Sequence, residues 1–107
     1  MISIVSPVYR AEKILPTLVA EIESVMAKIG EDFEIILVDD RSPDYSWDVM
    51  KTLSSKNQNL KVYRLSRNFG QHATIIAALT KAKGEWIVVM DCDMQDQPKE
   101  IEKLWEK

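Results

Sequence analysis

Apolar positions along this chain follow two rhythms, short β-branched runs and longer stretches spaced by three and four. Ile2 to Ser6 is a β-branched run stopped by Pro7, which predicts a strand. Ile14, Leu15, Leu18, Val19, Ile22, Val25, Met26 and Ile29 then recur at helical spacing, with Pro16 tolerable only in the first turn and Gly30 fitted to the C-terminal cap. Phe33 to Val38 is continuously apolar, as a strand covered on both faces is. Polar residues fill Asp39 to Ser46, and Trp47, Met50 and Leu53 trace one face of a short helix. Leu60 to Leu65 alternates like a strand near a sheet edge. Ala73 to Ala82 predicts a helix with Ile75, Ile76 and Leu79 turned inward and Gly84 as its stop. Trp86 to Met90 is the most apolar strand and is expected at the centre of the sheet, after which Pro98 opens a last helix with Ile101, Leu104 and Trp105 on one face.

The order βαβαβαβα predicts an α/β fold, an open and mostly parallel sheet with helices on both faces. Ligands of such sheets sit outside the carboxyl ends of the strands. The loops after the strands, residues 6–10, 39–44, 66–70 and 91–96, are therefore expected to open onto one rim.

Composition narrows the chemistry of that rim. With one cysteine (Cys92) and one histidine (His72), the chain cannot build a Cys/His zinc cluster, so any metal must be held by oxygen. A net charge of −3 argues against a nucleic-acid footprint. Charge is uneven, however: Arg64 to Gly84 holds four basic residues and no acid, whereas Glu85 to Lys107 holds seven acids and three lysines, which implies a site with two electrostatic halves. No signal peptide and no apolar run near the roughly 18 residues of a membrane span is present, so the chain is expected to be soluble and cytoplasmic.

Asp91 and Asp93, two residues apart after the most apolar strand, put concentrated negative charge where nothing structural requires it, and Mg2+ or Mn2+ bound together with substrate phosphate would relieve it. Gln95 and Asp96 extend the oxygen cluster, although Asp91 and Asp96 also suit the cap of the following helix. Asp39 and Asp40 end the second strand. One is expected to accept hydrogen bonds from a nucleobase or ribose, and the other to hold a turn; Asp40 is assigned to the ligand. Tyr9 can lay its ring on a base or act as a core lid. Arg64, Arg67 and Asn68 can pair with phosphate or with the acidic loops, and Cys92 is a neutral spacer between two aspartates. Neither a Gly-x-Gly-x-x-Gly loop nor a Walker sequence is present, so metal rather than a glycine-rich turn must neutralise phosphate.

Taken together, Ser6-Pro7-Val8-Tyr9, Val38-Asp39-Asp40-x-Ser42-x-Asp44, Arg67-Asn68-Phe69-Gly70 and Asp91-x-Asp93-x-Gln95-Asp96-x-Pro98 resemble, in order, the motifs of the family 2 glycosyltransferases of GT-A fold. The likeness is strongest to their polyprenyl-phosphate, dolichol-phosphate mannose synthase-like branch. It implies that Pro7 and Tyr9 line a base pocket, that Val38 and Asp40 contact base or ribose, and that Asp91 and Cys92 contact a nucleotide sugar. Asp93 with Gln95 would bind Mg2+ or Mn2+ on the diphosphate. The implied reaction is inverting transfer of a hexose from UDP- or GDP-sugar to an acceptor, a lipid phosphate or glycan. Arg10-Ala11 stands where that family commonly has Asn-Glu, which moves a carboxylate contact to Glu12 or removes it and leaves uracil and guanine both open. Gln97 also replaces a usual proline before Pro98.

Residues 1–107 are then expected to be the donor-binding part, with the acceptor half, any catalytic base and any membrane helices lying outside this chain, and with transfer activity incomplete in it. Exposed apolar surface near the C-terminus would favour a homo-oligomer. The rival enzyme reading is a haloacid-dehalogenase-type phosphatase using Asp91 and Asp93, against which stands Gln95 where that motif wants Thr or Val. A response-regulator receiver would want its acidic doublet after the first strand, and a non-catalytic nucleotide-binding module is the third alternative.

Overall fold

The computed structural model describes residues 1–90. Four strands, β1 (Ile2–Val8), β2 (Phe33–Asp39), β3 (Leu60–Arg64) and β4 (Trp86–Val89), alternate with helices α1 (Leu15–Ile29), α2 (Ser46–Lys56) and α3 (Gln71–Lys81). The sheet is wholly parallel in the order β3-β2-β1-β4, with Ile2 opposite both Phe33 and Trp86 and with Ile35 opposite Leu60. The predicted α/β class and the helices on both faces are as expected; the helix from Pro98, with Ile101, Leu104 and Trp105, lies outside the described residues.

Topology explains which face each helix takes. The chain steps from β1 to β2 to β3 in one direction, and right-handed crossovers put α1 and α2 on the same face. The step from β3 to β4 reverses that direction, so α3 crosses the opposite face. Period-two alternation then divides the core. Ile2, Ile4 and Val8 of β1 and Ile35 and Leu37 of β2 pack with Leu15, Leu18, Ile22 and Met26 of α1 and Met50 of α2. Val5, Ile36 and Val38 face α3 through Ala78.

α1 begins with Pro16 in its first turn and ends at Gly30, whose φ of 79° only glycine adopts without strain and whose N–H donates to the Met26 carbonyl. α3 departs from its sequence reading. Its buried residues are Thr74 and Ala78, while Ile76 is 62% and Leu79 37% exposed. Small side chains let the helix approach the sheet, and the Thr74 hydroxyl can be buried because it donates to the Gly70 carbonyl at 2.7 Å. β4, expected at the centre, is the edge strand among the described residues, with Trp86, Ile87 and Val89 exposed. Its apolar run reports a need for cover on both faces, but the described helices pack chiefly over β1, β2 and β3, and of β4 only Val88 joins the α1/α2 core. β3, read as lying near an edge, is the other edge.

A buried carboxylate ties the amino-terminal end of the sheet together. Glu34 accepts hydrogen bonds from the Ser3 hydroxyl, from Lys61 Nζ at 2.8 Å and from the Lys83 amide at 2.7 Å, and Gly84 donates its N–H to Ser3 Oγ at 2.8 Å. Burial pushes the Glu34 carboxyl up, but the bonds from Lys61, Ser3 and Lys83 outweigh it and hold the group at about 2.

Candidate functional site

Connections leave β1 toward β2 on one side and arrive at β4 on the other, so the switch point of the sheet lies between β1 and β4. Pro7 sits at that boundary. The Val5 carbonyl accepts the Met90 N–H, so Pro7, two residues on, turns its missing N–H toward the same side and cannot extend the ladder to β4. The β1/β4 ladder therefore ends before Pro7, which is itself buried in the sheet. Tyr9 follows at the rim, 41% exposed, with the Arg10 guanidinium 5.4 Å from its ring centroid.

Asp39 and Asp40 point to opposite faces because adjacent strand residues alternate. Asp39 lies on the α1/α2 face with no exposed surface, and accepts from the Ser42 hydroxyl and amide. Arg64 Nε comes within 3.2 Å of its Oδ2, yet no hydrogen bond is aligned on Nε, so this pairing is electrostatic. Asp40, 5% exposed and on the α3 face, accepts from the Phe69 amide at 2.8 Å and the Gly70 amide at 3.1 Å. The end of β2 thus grips loops on both sides of it.

Two serines extend that grip to the loop after β1. Ser42 Oγ donates to Asp39 and accepts the Arg10 N–H at 3.0 Å. Ser46 Oγ donates to Asp44 at 2.6 Å and accepts the Ala11 N–H at 2.8 Å. Each is a carboxylate-hydroxyl-amide relay between neighbouring rim loops. Burial pushes the Asp44 carboxyl up, but the Ser46 hydroxyl and amide outweigh it and lower its pKa. Arg10 and Arg41, in the loops so held, take φ of 53° and 57°, the strained left-handed region for a non-glycine residue. Beside them, Arg10, Ala11, Glu12, Lys13, Ile14 and Asp44 line a hollow of about 320 Å³, which places Glu12 at the rim.

The structure thus brings Tyr9, Asp40 and the Arg67 to Gly70 loop to the carboxyl end of one sheet. The Val38 side chain does not reach the rim; it is buried in the core facing α3. Asp91, Cys92, Asp93, Gln95 and Asp96 lie outside the described residues. Among the described residues no three His, Cys, Asp or Glu side chains cluster to hold a metal, and no helix is long and apolar enough to cross a membrane. Sequence reasoning missed the serine relays. Their signal was the spacing of Asp39 with Ser42 and Asp44 with Ser46, which favours short side-chain to backbone loops.

Residues 3–107 match the model of the family described as glycosyl transferase family 2. An undecaprenyl-phosphate 4-deoxy-4-formamido-L-arabinose transferase of Pseudomonas aeruginosa is 37% identical over 108 residues, covering 100% of this chain and 32% of that protein. The enzyme of the same name from Pectobacterium atrosepticum is 39% identical over 106 residues, again across 32% of its length. The chain therefore spans about a third of these curated relatives. Among solved structures, residues 1–349 of S. aureus TarS in complex with UDP-GlcNAc align with a TM-score of 0.71 at 28% identity over 98% of this chain and 31% of that one. A mannosyltransferase of Pyrobaculum calidifontis in complex with GDP-Man and Mn2+ aligns at 0.68 and 18% identity, over 96% of this chain and 32% of that one, a likeness of fold alone. With a family model covering nearly its whole length, a parallel sheet of matching fold and four motifs in the family's order, this chain belongs to glycosyl transferase family 2.

Proposed function

We propose that this chain is the donor-binding part of a glycosyltransferase, holding a nucleoside diphosphate sugar and a divalent cation for inverting transfer of a hexose to a polyprenyl phosphate. The observation that carries this reading is the built rim at the carboxyl ends of β1, β2 and β3: an exposed Tyr9 beside loops fixed by Asp39, Asp40, Ser42 and Ser46. Uridine is the favoured base, because TarS, solved in complex with UDP and with UDP-GlcNAc, is 28% identical, whereas the GDP-Man complex shares fold alone. The name of the Pseudomonas relative supports a lipid phosphate as acceptor. The match to a transferase family leaves the phosphatase alternative without support.

In this reading Pro7 and Tyr9 line the base, Asp40 accepts from base or ribose, and Val38 takes part through its main chain. Asp91 and Cys92 meet the sugar. Asp93 and Gln95 hold Mg2+ or Mn2+, since hard oxygen donors suit those ions. When bound, such a cation stabilises charge on the leaving diphosphate.

Calorimetry of UDP and GDP, with and without Mn2+, tests the reading. UDP should bind at least about tenfold tighter with Mn2+ than without, and Asp93→Ala should remove the difference. Equal affinity with and without the ion would sink the metal assignment, and tighter GDP than UDP would reverse the choice of base. Binding of neither nucleotide would end the donor-site reading. Transfer itself is read with the full-length protein, a labelled nucleotide sugar and polyprenyl phosphate.

A further inference from the structure

The loop from β3 to α3 runs back from the sheet edge toward its middle, because α3 packs over β1 and β2. Arg67, Asn68 and Phe69 along it are exposed, and Gly70 closes it at a φ of 94°. Both oxygens of the buried Asp40 are committed to this loop, through the amides of Phe69 and Gly70 at 2.8 and 3.1 Å. Amide to carboxylate bonds are charge-assisted, and each oxygen keeps a further lone pair for another donor.

The same loop carries a cation with no acidic partner among the described residues. The Arg67 guanidinium lies 4.8 Å from the Phe69 ring centroid and pairs with no described acid, whereas Arg64, three residues earlier, is beside Asp39. No acidic residue occurs between Arg64 and Gly84. Stacking on an aromatic face restrains the guanidinium plane while leaving its fork of N–H groups free for an oxyanion. The strands' carboxyl ends, where this loop lies, are where an open α/β sheet receives its ligand.

We infer that Asp40 is a positioning residue which fixes the 66–70 loop so that Arg67, braced on Phe69, meets a phosphate oxygen of the bound nucleotide. This deepens the donor-binding reading above and rests on it. The anion is the diphosphate of the donor, and the phosphate of a lipid acceptor is the other source of the same chemistry.

The test compares UDP with uridine, both titrated in the presence of Mn2+ against the chain. Arg67→Ala should weaken UDP about tenfold and uridine less than about twofold, as loss of one charge-assisted phosphate contact does. Asp40→Asn keeps the shape but offers only one acceptor oxygen to two amides. It should speed hydrogen exchange at the Phe69 and Gly70 amides and lower the UDP-over-uridine affinity ratio as Arg67→Ala does. Any direct contact of Asp40 with the base cancels in that ratio. In the double variant the ratio should fall no further than in Arg67→Ala alone. An unchanged ratio in Arg67→Ala, a second full drop in the double variant, or unaltered exchange at the two amides in Asp40→Asn would each overturn the inference. Should Asp40→Asn fail to fold, the exposed Arg67 still carries the ratio test. Loss of binding only to vesicles containing polyprenyl phosphate, with UDP unaffected, would move Arg67 to the acceptor and overturn the assignment to the nucleotide. A wild-type chain that binds no UDP fails the donor-site reading itself; one that binds UDP with unaffected variants fails this inference alone.

Discussion

Replacing Glu34 with glutamine should weaken the fold at neutral pH and flatten its response to acid. The carboxyl is 2% exposed and holds three strands and the start of the turn into β4 through Ser3, Lys61 and the Lys83 amide. Its folded pKa of about 2 lies below the ordinary 4.5, so the charged form is the one the fold prefers. That stabilisation is complete above about pH 4.5 and disappears as pH falls through about 2. At about 1.4 kcal/mol per pH unit, the displacement from 4.5 to about 2 corresponds to about 3 kcal/mol. Lys61 is 39% exposed, and solvent screening brings the expectation to about 2 kcal/mol. For a domain of this size a loss of that order lowers Tm by roughly 10 °C. Urea titrations of wild type and Glu34→Gln, followed by tryptophan fluorescence at pH 7 and stepwise from 4.5 to 2.5, read both quantities. The wild type should lose stability across that interval more steeply than the variant, in which Asp44, its pKa also lowered, still contributes with the same sign. An acid slope equal to that of wild type, or a difference at pH 7 under about 0.5 kcal/mol, would refute the reasoning.

The same end of the sheet predicts a steric effect. A Cβ at Gly84 would stand 2.7 Å from the Met1 carbonyl and from Ser3 Oγ, so Gly84→Ala should cost roughly 1–3 kcal/mol, measured by scanning calorimetry. At the rim, Ser42→Ala removes the donor to Asp39 and the acceptor of the Arg10 amide. It should cost roughly 1–3 kcal/mol in denaturant titration, and a neutral result would mean that the relay is not made in solution. On β4, the Ile87→Ser and Val89→Thr pair changes side chains 46% and 48% exposed. Stability should move by less than about 0.5 kcal/mol while any self-association of the wild type in sedimentation decreases, and unchanged association would show that this face does not drive it.

How much of this was legible before folding depends on the range of the interaction concerned. The four strands and three described helices follow from local periodicity, from Pro16 in a first turn and from Gly30 as a cap, all set by neighbours a few residues away. The order of elements also predicts a parallel sheet, while the spatial order of the strands decides, through the handedness of crossovers, which face each helix takes. The phase of α3 was not readable. Its period was clear, but whether Ile76 and Leu79 or Thr74 and Ala78 turned inward depended on how closely the helix could approach Val5, Ile36 and Val38. Nor did the apolar run of β4 say where it stands in the sheet, since hydrophobicity registers the need for cover and not what supplies it.

The rim divides in the same way. Sequence alone marked Asp39, Asp40 and the Arg67 to Gly70 stretch as belonging at strand ends, because charge and turn formers concentrated after apolar runs are local signals. Which carboxylate serves which loop was decided only by the sheet. Alternation sends Asp39 to Ser42 on one face and Asp40 to the amides of Phe69 and Gly70 on the other, residues 29 and 30 positions away. Contacts at that separation form once β2 is paired on both sides, and no local pattern in the chain encodes them.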